Sequence, residues 1–412
     1  MTLTSGSWIR LQWAEPALAV LNPKFLIHSH SHVALLGWLF LALAGLISQY
    51  GMNENGRKQM GHPLYLILLH ISITGMTVAF ALQGYAFYSI LLSTLFIILS
   101  LWFAFIYIRN EKMTVSPLVR NFLNAAVFWM VFSSAGPLAL AGGTMMGPDW
   151  IQVWVAFYLH LQFNGWITFA VAGLLIAFLE RSRIQVDRRT GSIAFWLMFT
   201  GVFPSIEPMT RELTESVLWL YAGIGGSFLV LAGTGMITGL LYRGAGRLAR
   251  YPRALLYTAL VSLLLKSLFH AVASIPGVGE GLTGTHLLAI GFVHLLLLGF
   301  ASTGILWLIL THMLPLPWNK TIRAGSLILI TGAAGMIGLL FVFGMYQYLL
   351  VPLFLPVQWL LFGTGLVVLA GGCLILFALP AGSATSTQPL PAGSGSSVPE
   401  YRNAAPADCL PE

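Results

Sequence analysis

The sequence predicts an all-α protein: a polytopic membrane helix bundle of about eleven transmembrane helices, with the N-terminus outside and the C-terminus cytoplasmic. Three observations predict it. The 412 residues are 57% hydrophobic and 8% charged, whereas an ordinary soluble domain carries about 25% charged residues. Apolar stretches of about 20 residues recur along nearly the whole chain, the length a helix rising about 1.5 Å per residue needs to cross about 30 Å of hydrocarbon. The Lys and Arg residues fall in every second loop, which is how helical membrane proteins record their orientation. Alternating barrel strands of about ten residues are absent, so the spans are helices.

Residues 1–24, with Trp8, Arg10, Trp13, Glu15 and Pro16, lack the basic-then-apolar order of a signal peptide and are expected to be an interfacial segment. The transmembrane domain is expected over 25–379, with spans near 25–49, 64–83, 86–108, 121–142, 150–179, 191–206, 217–241, 254–275, 284–311, 324–346 and 356–379. The sixth is short and ends at Pro204, where a helix extends, kinks or breaks. From Pro380 the chain turns to Ala, Gly, Ser, Thr and Pro, a composition unable to bury a core, so 380–412 is expected to be a disordered cytoplasmic tail.

The odd loops hold Arg57 and Lys58, then Arg109, Lys112 and Arg120, then Arg181, Arg183, Arg188 and Arg189, then Arg243, Arg247, Arg250 and Arg253, then Lys320 and Arg323. The even loops hold only Arg211, among Glu207, Glu212 and Glu215. Under the positive-inside rule the odd loops are cytoplasmic, and the expected location is the inner cell membrane. The basic balance therefore reports orientation and not a nucleic-acid partner. Cys373 and Cys409 are the only cysteines, which excludes a disulfide framework, a paired-cysteine zinc site and covalent haem attachment.

Seven of the ten histidines then fall in the outer half of the membrane. His28, His30 and His32 open the first span, His160 lies in the fifth, His294 in the ninth, and His270 and His286 flank the loop between the eighth and ninth. His160 is roughly 15 Å below the outer end of its span. Each histidine alone suits an interfacial or capping role. Their convergence at one depth points to a cofactor, because neutral imidazole is a common metal ligand and facing helices can supply both axial positions of a haem. Lys266 lies four residues before His270 on the same face, buried in mid-span. Pairing with an anion, proton transfer and snorkelling are all open to it. The glycines around Gly223, Gly233 and Gly332 sit inside apolar spans and read as helix-packing positions, not phosphate loops. No clear internal repeat of the spans is expected.

Three stretches resemble one family. His30-Ser31-His32-Val33-Ala34-Leu35-Leu36-Gly37-Trp38 resembles the second helix of the haem-copper oxidase catalytic subunit. Tyr158-Leu159-His160-Leu161-Gln162-Phe163-Asn164-Gly165-Trp166 resembles the sixth helix of its nitric oxide reductase branch, and the stretch from Gly284 to Gly299 resembles the tenth. One offset of a single helix serves all three matches. The resemblance implies a b-type haem (heme b) held by His32 and His294, with His160 surviving from a second metal site for copper or iron. His270, His286 and His28 complete the candidate metal set. It also implies membrane lipid around the bundle and an electron-donor subunit or cytochrome as partner, with oxidoreductase chemistry of the terminal oxidase or nitric oxide reductase kind.

The departures are specific. The sixth span, which should carry paired metal-binding histidines, has none; Phe292 stands where the high-spin haem ligand should be; and Asn164 replaces a glutamate. The expected function is thus electron transfer or diatomic-gas chemistry, with catalysis open. The alternatives are an NnrS-like haem membrane protein of nitric oxide stress and a non-haem metal transporter with an outer histidine site.

Overall fold

The computed structural model describes residues 1–141, 147–211, 216–248, 252–313, 318–350 and 356–379. These residues are helical, with one isolated antiparallel bridge between Met52 and Glu111. We number the main helices α1 (Thr2–Ala14), α2 (Pro23–Gly51), α3 (Pro63–Gln83), α4 (Phe87–Arg109), α5 (Pro117–Leu140), α6 (Trp150–Arg181), α7 (Arg188–Val202), α8 (Val217–Gly246), α9 (Ala254–Ala273), α10 (His286–Thr311), α11 (Lys320–Tyr348) and α12 (Val357–Phe377). Ten of them, α2 to α6 and α8 to α12, are long and apolar enough to cross a bilayer. The chain is a multi-pass membrane protein. The expected tail, 380–412, lies outside the described residues.

Local chemistry sets the helix starts. Pro23, Pro63 and Pro117 occupy first-turn positions, where a missing N–H costs nothing. Asn22, Ser116, Ser216 and Asn319 accept a hydrogen bond from an otherwise orphaned N–H of the first turn.

The sixth expected span does not reach crossing length. Helix α7 has 15 residues and stops at Val202, and Pro204 opens a tight 3-10 turn over Pro204–Met209. Proline has no N–H to continue the ladder, so carbonyls are released where the helix would have used them. Helix α7 lies directly against α8. A Cβ on Gly201 would meet the Gly226 carbonyl at 2.5 Å and one on Gly233 the Ala194 carbonyl at 2.7 Å, so only glycine permits this crossing.

The N-terminal segment is part of the bundle. Helix α1 packs on α2 and α12, and Arg10 is buried with its Nη1 donating to Gln358 Oε1 at 3.3 Å. In the same way α5 packs on α6 and α9 on α10. Helix α6 is the axis: Leu161 to Leu179 are buried at every position, and its C-terminal half touches the C-terminal halves of both α2 and α10.

Helices α2, α6 and α10 share a local distortion. Each contains a π-helical segment that begins directly after a histidine: Val33–Leu39 after His32, Leu161–Ile167 after His160, and Leu295–Ser302 after His294. A fourth such segment, Ile309–Met313, ends α10. π-Helical turns are rare and cluster at functional sites. The underlying sequence is the same each time: a histidine, four residues, glycine, then an aromatic, as His32/Gly37/Trp38, His160/Gly165/Trp166 and His294/Gly299/Phe300. The pattern is a short local motif shared by three helices.

The glycines of the repeat are contact points. Gly165 lies against the Trp129 side chain of α5, and a Cβ on Gly299 would meet Ser262 Oγ of α9 at 2.6 Å. Replacing Gly165 with leucine should therefore lower the stability of purified protein by about 1–3 kcal/mol or more through overpacking. Leucine at Gly239, which faces open space, should leave stability unchanged; thermal unfolding followed by size-exclusion chromatography checks both.

Candidate functional site

Residues two apart on a helix point in nearly opposite directions. In α2, α6 and α10 the repeat histidine and the residue two before it therefore serve different interfaces. The half of the bundle in which α2, α6 and α10 begin holds three polar clusters as a result.

The first lies between α2 and α3. His32 stacks on Phe80, ring centroids 4.0 Å apart, and faces Tyr85 at 6.1 Å. Its Nδ1 donates to the His28 carbonyl at 2.8 Å, and His28 meets Tyr85 edge-on at 4.7 Å. Tyr158, two residues before His160, is close enough to Tyr85 for electrostatic coupling.

The second joins α2, α10 and α1. His294 donates from Nδ1 to the Ile290 carbonyl at 2.9 Å, and among the described residues no hydrogen bond is made by its Nε2. Across from it is His30, whose Nδ1 meets Ser5 Oγ at 3.0 Å and whose ring lies against the bare Cα of Gly6. His30 couples electrostatically to both His294 and Arg10, and Arg10 couples to His294. The structure thus brings His30 to His294 and turns His32, the partner expected from the sequence, toward α3. Eight residues further in on both helices, Trp38 Nε1 donates to Ser302 Oγ at 2.9 Å. The outer halves of α2 and α10 do not otherwise pack closely on each other.

Arg10 is unusual. It is 6% exposed and no described carboxylate pairs with it; its guanidinium has Gln358 and, at 5.1 Å, the Trp13 ring. Burial brings its pKa down to about 10, so it stays charged at neutral pH.

The third cluster joins α6, α9, α10 and the Pro204 turn. His160 donates from Nε2 to the Val202 carbonyl at 2.8 Å, and His270 from Nε2 to the Ser205 carbonyl at 3.1 Å. These acceptors flank the proline break. In hydrocarbon every backbone carbonyl needs an internal partner, and the two imidazoles provide it, with Ser205 Oγ as a second donor to Val202 at 2.9 Å. Asn164 Nδ2 donates to His160 Nδ1 at 3.2 Å, while Lys266, 1% exposed, donates from Nζ to Asn164 Oδ1. The rings of His160 and His270 are 5.5 Å apart. Lys266 therefore does not snorkel. It hydrogen-bonds to Asn164 inside the bundle. Above the cluster, Glu207 binds Arg211 through two hydrogen bonds of 2.8 and 3.0 Å, and Arg211 also reaches the Ser274 carbonyl at 2.8 Å.

His286 stands exposed at the start of α10. Among the described residues no three or more His, Cys, Asp or Glu side chains come together as a metal-binding group. Sequence reasoning missed His30 and Arg10 as a pair. The tell-tale was the spacing itself, since His30 precedes Trp38 by eight residues as His294 precedes Ser302. No protein-family model and no curated protein matches this chain.

Phenylalanine at His160 should remove one of the two donors to the Val202 carbonyl, Ser205 Oγ at 2.9 Å being the other, and destabilise the protein by about 0.5–1.5 kcal/mol, the net worth of one hydrogen bond. Glutamine, which keeps a donor, should recover most of that loss. Equal effects of the two in a thermal melt would show that the imidazole does not hold the broken helix.

Proposed function

We propose that this chain is a haem-binding integral membrane protein of the haem-copper oxidase catalytic-subunit type, nearest the nitric oxide reductase branch. In this reading His294 and a histidine of α2 hold a b-type haem between α2 and α10. The observation that carries it is Arg10, a buried guanidinium with no described carboxylate partner beside two imidazoles from different helices. An uncompensated buried charge costs several kcal/mol. A haem would bring propionates for the cation and an iron that accepts two imidazoles.

The donor atoms fit. Nδ1–H of His294 is fixed on a backbone carbonyl, which holds the ring and leaves Nε2 as the lone-pair nitrogen that iron needs. His30 is the favoured partner because it lies close enough to His294 for the two to interact electrostatically. His32 is the second reading, because it is the repeat equivalent of His294 and its Nδ1 has the same carbonyl anchor. The haem, if bound, would supply one-electron transfer, and a diatomic gas could bind only where one imidazole gave way. The chain orients two imidazoles, neutralises an anion through Arg10, and excludes water with α1.

A second metal, copper or iron, at His160, His270, His286 and His28 has weaker support. The Nε2 atoms of His160 and His270 already serve backbone carbonyls, and His28 and His286 are placed elsewhere. Electron transfer or gas sensing is accordingly favoured over reduction of oxygen or nitric oxide. Eleven crossings, with α7 and the Pro204 turn forming the sixth, the N-terminus outside and an inner-membrane location complete the proposal. They rest on the loop arginines, and they put the haem near an electron donor on the outer side.

In purified protein, alanine at His294 or His30 should abolish the low-spin optical and EPR spectrum, while alanine at His32 preserves it. Arg10→Gln should keep the spectrum but speed haem loss to an acceptor globin. Loss with H32A and retention with H30A would move the partner to His32; retention with H294A would overturn the site.

A further inference from the structure

The last residues of α2, α4 and α6 meet at one end of the bundle. Met52 pairs with Glu111 in the isolated bridge, and the backbone N–H of Lys112 donates to the Gly51 carbonyl at 2.7 Å. The Asn53 N–H donates to the Asn110 carbonyl at 2.9 Å and ties the same two loops together again. The guanidinium of Arg181, the last residue of α6, lies 6.0 Å from the centre of the Tyr50 ring. Arg57, on the short helix Glu54–Met60, donates from Nη1 to the Met52 carbonyl at 3.1 Å. Cations from three separate loops are thus gathered around the consecutive residues Tyr50, Gly51 and Met52.

Orientation in a membrane accounts for basic residues in these loops, but not for their convergence, because like charges repel. Burial, and then the charges of Arg181 and Arg57, bring the Lys112 ammonium below the ordinary lysine pKa, so the three share one electrostatic neighbourhood.

The nearby acids are engaged elsewhere. Glu54 is bound to Lys58 at 2.8 Å, while Glu111 accepts from Asn124 at 3.2 Å and faces Arg120 at 3.7 Å. Among the described residues no ion pair involves Arg57, Lys112, Arg181 or Glu180. The carbonyl ends of α2, α4 and α6 carry at most about half a negative charge each, which leaves an excess of positive charge. Donors are also free: Arg57 uses one N–H on Met52, and among the described residues the Lys112 ammonium and the Arg181 guanidinium donate no hydrogen bond. Arg181 is exposed and the other two are partly so, which leaves the cluster open to solvent. Three cations around one point suit an anion with more than one charge and several acceptor oxygens, a description that fits phosphate better than carboxylate.

We propose that Arg57, Lys112 and Arg181 bind a phosphate-bearing anion, from an acidic lipid headgroup or from solution, which closes the junction of the three loops. The site lies at the far end of α2 from His32 and does not depend on whether haem binds.

The test uses full-length protein in phosphatidylcholine nanodiscs, in buffer free of phosphate and sulfate. Sodium pyrophosphate, titrated at constant ionic strength, should raise the melting temperature. Lys112→Gln and Arg181→Gln should each weaken its apparent affinity at least about tenfold, the worth of one charge-assisted hydrogen bond. Arg109→Gln, which removes a guanidinium lying over Phe105 at 4.8 Å, should leave the affinity unchanged. A lipid source would show instead as phosphatidylglycerol retained in native mass spectrometry and lost in the first two variants, with no response to pyrophosphate. Without any phosphate ligand, Lys112→Gln should melt at or above wild type, because it removes a repulsion. Three results would overturn the proposal: no response to either source, a response that survives in both variants, or a ligand-free Lys112→Gln protein that melts below wild type.

Discussion

In hydrocarbon no water is present to satisfy a peptide group, and that constraint organises the polar chemistry of this protein. Pro204 breaks a helix within the bundle and releases carbonyls that must be met from elsewhere. His160 and His270 meet them from two other helices, and Asn164 and Lys266 complete the set. Three helices and a turn are tied together at one depth in the membrane. The same demand explains why so many titratable side chains are tolerated there: each is already someone's hydrogen-bond partner.

The crevice between α2 and α10 obeys the constraint differently. His294 uses only Nδ1, on its own helix, and Arg10 has only a neutral amide and an aromatic ring. A buried cation next to a free imidazole nitrogen is a site whose own residues do not complete it. That contrast, between imidazoles spent on the backbone and an imidazole nitrogen left open among the described residues, is the physical basis for proposing a cofactor at the second cluster and not the third.

The bundle was largely legible in the sequence. Ten spans follow from length and apolarity, and the shortness of the sixth was signalled by Pro204. Lipid-embedded helices depend on local composition more than on long-range contacts, so such features survive in a one-dimensional reading. Which way a histidine faces does not. The choice between His30 and His32 turns on where α1 and α3 pack and on a π-helical segment that rotates Trp38 relative to the helix above it. Likewise nothing near His160 announces that its acceptor lies 42 residues away. The histidine–glycine–aromatic repeat was visible in the letters, but it has meaning only once three identical distortions are seen around one central helix.

Helix α1 was the least foreseen element. Expected to be interfacial, it packs on α2 and α12 and carries Arg10, Ser5 and Gly6 to His30. It does for α2 what α5 does for α6 and α9 for α10, so the three repeat helices each have a preceding helix at their back. The most direct measurement of the central claim is the non-covalent haem content of detergent-purified full-length protein from haem-replete cells, by pyridine haemochrome against amino-acid analysis. The account predicts one b-type haem per chain; a colourless protein with intact fold would contradict it.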